Sequence, residues 1–196
     1  MSKADIITLP NESLRERSKR VGFVDDAIKE LIEKMEESTL DWEASRDHEV
    51  GVALAAVQIN VHKRVIVIRN NFDNKNDRTF QVYINPEIAK YDGKQIEEFE
   101  GCLSVRDVYG KVPRYSKVKI KAKDIDGKDV RITAEGFLAR VFQHEIDHTN
   151  GMLFVDRIKD TPEAFCHLSP LDGKIVPMND SDRNKAFKEL FDDDEE

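Results

Sequence analysis

Residues 118–151 read VKIKAKDIDGKDVRITAEGFLARVFQHEIDHTNG, and this stretch sets the fold class. Two strand-like runs, 118–125 and 130–133, flank Asp126-Gly127, a strong hairpin signal. The period then changes: Phe137, Leu138, Val141 and Phe142 recur at helical spacing and lead into His144-Glu145 and His148. Gly151 stands where a helix stop is expected. Working outward, residues 64–69 (RVIVIR) form a β-branched run that reads as a buried strand. Residues 70–79 are a polar turn region. Residues 80–88 read as a strand interrupted at Asn85-Pro86, which predicts an edge or a bend. Residues 24–40 carry Ala27, Ile28, Leu31, Ile32 and Met35 at helical spacing behind a capping Asp25. Residues 41–50 read as a polar surface loop. Beyond Pro162 the pattern is uneven, with a weak helix over 180–191. Strands fill the middle and a helix bearing the histidines follows. The expectation is an α+β fold: one domain over 1–196, with antiparallel or mixed strands packed around a central helix that carries the HExxH motif.

At 196 residues the chain is long enough to bury a substantial core. No apolar run approaches the ~20 residues of a membrane span, and the first 20 residues lack the apolar stretch of a signal peptide. A cytoplasmic location is expected. The net charge of −8 and the acidic end, Phe191 to Glu196, argue against a nucleic-acid backbone as partner. That end reads as a solvated tail. Two cysteines, Cys102 and Cys166, suit free thiols or a metal ligand better than a disulfide framework.

Residues i and i+4 lie on one helix face, so His144 and His148 can aim at one ion. Glu145, about 100° round, can meet a water on that ion. Asp147 points elsewhere and suits either a salt bridge or a group that supports a ligand from behind. Such a site needs a third ligand. Downstream, Cys166 and His167 are candidates, and both also read as ordinary loop residues. Upstream, Gly101-Cys102 within EGCLS (residues 100–104) gives a tight path and an anionic sulfur, although Cys102 alone also reads as a small buried hydrophobe. GVALAAVQ (residues 51–58) is rich in small residues and ends in Gln58, a potential donor to a developing oxyanion; by itself it is equally a packing segment.

The three stretches GVALAAVQ, EGCLS and QHEIDH, in that order, closely resemble the peptide deformylase family over roughly residues 6–157. Asn85-Pro86 and Arg131 to Gly136 add to the likeness. Residues 158–196 form a divergent C-terminal segment. The resemblance implies a metallohydrolase that removes the formyl group from N-formylmethionyl nascent peptides and releases formate. It implies that Cys102, His144 and His148 bind one divalent transition metal. The ligand types alone suit zinc, whereas the resemblance implies iron(II) as the native ion; zinc or nickel are ions that a purified sample can carry. It implies that Glu145 is general base and then general acid. Gln58 and the Leu103 N–H would bind the formyl oxygen, and Glu100 would orient a ligand histidine. Val52, Phe137 and Val141 are candidate walls of a methionine pocket, and Ala53 is expected to narrow the cleft beside it. Ala53, Tyr109 and Thr149 depart from the family's usual glycine, arginine and leucine.

Two other readings stand beside this one. An HExxH zinc peptidase would need a downstream ligand and would leave EGCLS without a role. A homologue that binds formyl peptides without turnover is disfavoured by intact Glu145, Gln58 and Cys102. The expected partners are the formyl peptide and, transiently, the ribosome. No membrane and no direct nucleic-acid contact is expected, and the protein is expected to be a monomer.

Overall fold

The computed structural model describes residues 5–45, 49–169 and 173–191; the acidic residues 192–196 lie outside them. Seven strands form one sheet among the described residues: β1 (Ala53–Ala55), β2 (Val65–Arg69), β3 (Phe80–Cys102), β4 (Val105–Lys123), β5 (Asp129–Glu135), β6 (Phe165–Leu168) and β7 (Ile175–Pro177). The order is β1-β2-β3-β4-β6-β7, and β5 also pairs with β4. Every pairing between these strands is antiparallel. Three α-helices accompany the sheet: α1 (Asp26–Ala44), α2 (Gly136–Thr149) and α3 (Asp180–Phe191).

The β-branched run of β2 is buried because the sheet is covered on both faces there. Val65 and Val67 pack with Ile28, Leu31, Ile32 and Met35 of α1. Ile66 and Ile68, pointing the other way, pack with Ala139, Phe142 and Ile146 of α2 and with Val118 and Ile120 of β4. Each fully buried aliphatic or aromatic side chain of this kind stabilises by roughly 1.5–3 kcal/mol. α1 starts as expected, with the Asp25 carboxylate accepting from Ile28 N at 2.9 Å. It runs through Ala44, so the first residues of the expected 41–50 loop are helical; Trp42 and Glu43 extend its last turn. α2 ends before Gly151, whose φ of +76° suits glycine, and a Cβ there would fall 2.2 Å from the Arg15 carbonyl oxygen.

Asn85-Pro86 marks a bend within a paired strand and not an edge. Asn85 has φ +53°, the β3–β4 register shifts between Ile84 and Glu87, and β3 pairs with β2 and β4 on its two sides. β3 and β4 are far longer than the sequence pattern predicts. They form one hairpin whose turn is Leu103-Ser104, with Cys102 opposite Val105. The segment after Pro162 holds α3 over the expected 180–191, and also two strands with no clear sequence signal. These are anchored by Phe165, whose ring lies 4.8 Å from that of Phe187. The N-terminal segment is tied to three distant places: Ile7 N donates to Gln58 O (2.8 Å), Leu9 N to Ser104 O (3.0 Å) and Ser18 N to Thr149 O (3.0 Å).

Candidate metal centre

The β3–β4 turn places Cys102 against α2. Its Sγ lies 3.2 Å from His148 Nε2, which lies 3.2 Å from His144 Nε2. The three donor atoms sit within 4.8 Å of one another. Donors around one tetrahedral ion with metal–nitrogen and metal–sulfur bonds of ordinary length stand roughly 3.3–3.6 Å apart. One potential thiolate and two imidazole nitrogens turned inward therefore fit a single transition metal. Cys166 and His167 are not part of this cluster. They lie on β6, where Cys166 pairs with Tyr109 and its thiol faces the Ala164 carbonyl at 3.6 Å.

Glu100 lies behind His144. Its Oε2 stands 2.9 Å from His144 Nδ1. With that contact made, the Nδ1 position carries the hydrogen and Nε2 keeps its lone pair for the cluster. Burial alone would raise the Glu100 carboxyl. The hydrogen bonds from Arg114 and His144 outweigh it and hold the group well below the usual carboxylate range. Arg114 donates to both oxygens, at 2.8 and 2.9 Å, and Arg140 adds a bond of 2.7 Å to Oε1. Arg114 also donates to Asp147 at 2.5 Å, and Asp147 accepts from Arg157 at 2.5 and 2.6 Å. Asp147 is thus the salt-bridge group its helix position predicts. Buried ions survive only when each finds such partners.

Glu145 is buried, and its Oε2 has no hydrogen-bond partner among the described residues. Burial pushes its carboxyl up to about 7, near the value that suits proton transfer at neutral pH. Gln58 sits in a short turn of 3₁₀-helix, Ala56–Ile59, directly after β1. Its Oε1 accepts from Ala55 N at 2.8 Å, which fixes the amide with Nε2 turned inward. Nε2 donates to Ser104 Oγ at 3.1 Å and lies 3.6 Å from Cys102 Sγ. Ser104 N approaches the same sulfur at 3.4 Å.

A cleft of about 410 Å³ opens onto these groups. Val52, Ala53, Phe137 and Val141 all line it, as do Gln58, Leu103 and Glu145. Phe137 is 45% exposed at the rim, with its ring 5.0 Å from Phe72. Tyr109 packs over Gly101, where a Cβ would meet its ring at 2.7 Å, and its hydroxyl donates to Glu49 at 2.9 Å. Leu168 and Ile175 of the C-terminal hairpin line the same cleft. Sequence reasoning missed Arg114, Arg140 and Ser104. The one available signal was an arginine inside the apolar helical run FLARVF (residues 137–142).

The polypeptide deformylase family profile matches residues 3–163. The chain is 44% identical over 161 residues to peptide deformylase 1 of Pseudomonas syringae pv. tomato, covering 82% of this chain and 89% of that one. A crystal structure of a peptide deformylase from Legionella pneumophila superposes with a TM-score of 0.73 at 38% identity, over 96% of this chain and 94% of that one. A peptide deformylase from Synechococcus elongatus, crystallised in complex with actinonin, gives 0.71 at 32% identity, over 94% and 84%.

Proposed function

The chain belongs to the polypeptide deformylase family, and we propose that the Cys102, His144 and His148 cluster is the metal centre of its reaction. The protein is a hydrolase that removes the formyl group from N-formylmethionyl nascent peptides, giving formate and a free amine. The observation that carries the assignment of the centre is the convergence of one sulfur and two imidazole nitrogens beside a buried Glu145 whose Oε2 has no hydrogen-bond partner among the described residues.

A divalent transition metal held by these three residues supplies a Lewis acid that lowers the pKa of water and polarises a carbonyl. The protein's own groups do the rest. Glu145 takes the proton of the attacking water at its Oε2 and returns it to the leaving amine nitrogen. Gln58 Nε2 and the Leu103 N–H donate to the formyl oxygen as it becomes anionic, contacts typically worth about 3 kcal/mol each. Glu100 keeps His144 in the tautomer that presents Nε2. Val52, Ala53, Phe137 and Val141 enclose the methionine side chain, which supplies binding at a distance from the bond that breaks. α2 is the central element of this arrangement, since it carries both histidines, Glu145 and two of the pocket walls.

The sulfur–imidazole donor set suits zinc on ligand chemistry, and family resemblance favours iron(II) as the native ion. No helix among the described residues is long and apolar enough to cross a membrane. We read the protein as one cytoplasmic domain, including residues 158–191, that acts as a monomer and meets its substrate transiently at the ribosome. Sizing chromatography tests the monomer. The decisive assay is formate release from formyl-Met-Ala-Ser, run beside the same peptide without its formyl group. Formate release with no cleavage of the unformylated peptide is expected. Cleavage of the unformylated peptide would point to a peptidase, and binding without turnover to a non-catalytic homologue.

A further inference from the structure

The donor set spans two elements that meet far apart in sequence: Cys102 ends β3, while His144 and His148 stand on α2. Their separation depends on whatever fastens the hairpin to the helix. Arg140 stands one turn before His144 on α2 and is buried. Its guanidinium reaches into the hairpin on both strands. Nη1 donates to Glu100 Oε1 and to Val112 O, both at 2.7 Å, Nη2 donates to Ile96 O at 2.7 Å, and Nε reaches Glu98 Oε2 at 3.2 Å. Ile96, Glu98 and Glu100 lie on β3, and Val112 lies on β4.

We propose that Arg140 is a positioning residue, which sets the distance between the Cys102 sulfur and the histidine nitrogens by clamping the β3–β4 hairpin to α2. The inference rests on the reading of Cys102, His144 and His148 as the metal centre. The geometry gives the clamp two effects. It holds Glu100 Oε1 together with Arg114 Nε, so that Oε2 stays turned to His144 Nδ1. A carboxylate's terminal torsion is soft and broad; Arg114 restricts it by bridging both oxygens, and the second guanidinium adds a restraint that comes from α2 itself. It also ties two strands to one helix through backbone carbonyls, which needs a planar fork of several donors and not a point charge. Arg114 grips the same carboxylate from β4 and reaches α2 through Asp147, and Gln143 of α2 bonds the Tyr115 backbone at 3.0 and 2.8 Å. Loss of Arg140 therefore spares these links to β4 and removes the bonds from α2 to the Ile96 and Glu98 stretch of β3, leaving Glu100 and Cys102 to face the histidines.

The test is cobalt(II)-loaded protein, in which the thiolate-to-cobalt absorption band and the d–d bands report donor geometry. Chelator-driven release is followed at the same band. The parent protein should show the thiolate band; its absence would overturn the metal-centre reading itself, separately from the role of Arg140. Arg140→Met should release cobalt about 10–100-fold faster, the range seen for lost partners of ligand side chains, with shifted d–d bands. Glu98→Gln, which touches only the outer end of the clamp, should release cobalt at the parent rate. Arg140→Lys keeps the charge without the fork and should fall between the parent and Arg140→Met, at least threefold from the parent. It decides the matter should Arg140→Met not fold. A lower melting temperature with unchanged bands and release within threefold of the parent would assign Arg140 to general stability and overturn the proposal.

Discussion

Replacing Gln58 with methionine separates two roles that one amide performs. The side chains are of similar length and Gln58 is buried, so packing changes little. The hydrogen bonds do change. Ala55 is fully buried, and its N–H bonds Gln58 Oε1 at 2.8 Å; methionine leaves that donor without its partner. An orphaned buried donor costs about 1–3 kcal/mol. At ~2–4 °C per kcal/mol for a domain of this size, the melting temperature should fall by roughly 2–12 °C. The catalytic loss should be larger. Removal of one oxyanion donor typically lowers kcat about 10²–10³-fold, and an interaction made in the transition state lowers kcat and kcat/KM alike. Ser104→Ala is the control, since it removes the hydroxyl to which Nε2 donates while keeping the Ala55 anchor on Oε1; it should lose less than tenfold. Formate release, measured below the melting temperature of each form, decides the matter. A Gln58→Met enzyme with kcat within threefold of the parent, or with its whole loss in KM, would refute the role given to this amide.

Cys102→Ser exchanges a soft sulfur for a harder oxygen, and metal content after gel filtration should drop sharply; full occupancy with unchanged ligand distances would remove Cys102 from the donor set. Glu145→Gln should keep its metal and lose about 10²–10⁴-fold in turnover, because an amide of the same size cannot carry a proton; the check is metal analysis beside a kcat measurement on one preparation. Ala53→Gly should widen the cleft, since Ala53 lines it and its φ lies outside the left-handed region. kcat/KM should then rise for a bulky residue after methionine relative to a small one, at a stability cost of about 0.5–1 kcal/mol. An unchanged ratio between the two substrates would show that the methyl does not shape the cleft.

What could be read from the sequence was local. The Asp126-Gly127 hairpin, the Asp25 cap and the helical spacing through His144 and His148 each follow from neighbours a few residues apart, and the structure holds all three. The ordered motifs brought Gln58, Cys102 and the histidines together by resemblance, and the geometry brings them within hydrogen-bond range. The arginine network was not legible. Arg114 and Arg140 meet Glu100 across 14 and 40 residues, and in a chain this rich in charge a buried arginine carries the same letter as a solvated one. The full length of β3 and β4 was hidden for a related reason. Residues 94–100, KQIEEFE, are largely exposed except for Glu100, so no alternation of apolar residues announces a strand that is held by cross-strand pairing and by the bonds from Arg140. β6 and β7 were missed because the short run FCHL is held by contacts to β4 and α3, and IVP by pairing with β6, none of which a local signal predicts.

The hydrogen bonds of the N-terminal segment carry a consequence for the order in which the protein can be completed during its own synthesis. Ile7 waits for the carbonyl of Gln58, Leu9 for that of Ser104 and Ser18 for that of Thr149. A ribosome makes the chain from the N-terminus at about 5–20 residues per second, so residues 7–18 acquire their last partner some seconds after they appear. Because Thr149 directly follows His148, that final bond becomes possible only when both histidines have also been made. Chains arrested at residue 130 should therefore leave the segment around Ser18 open to protease, whereas chains arrested well beyond residue 149 should protect it. Protection at both lengths would mean that the segment finds its place without these bonds. Otherwise residues 7–18, made before their partners, are the part that closes the fold.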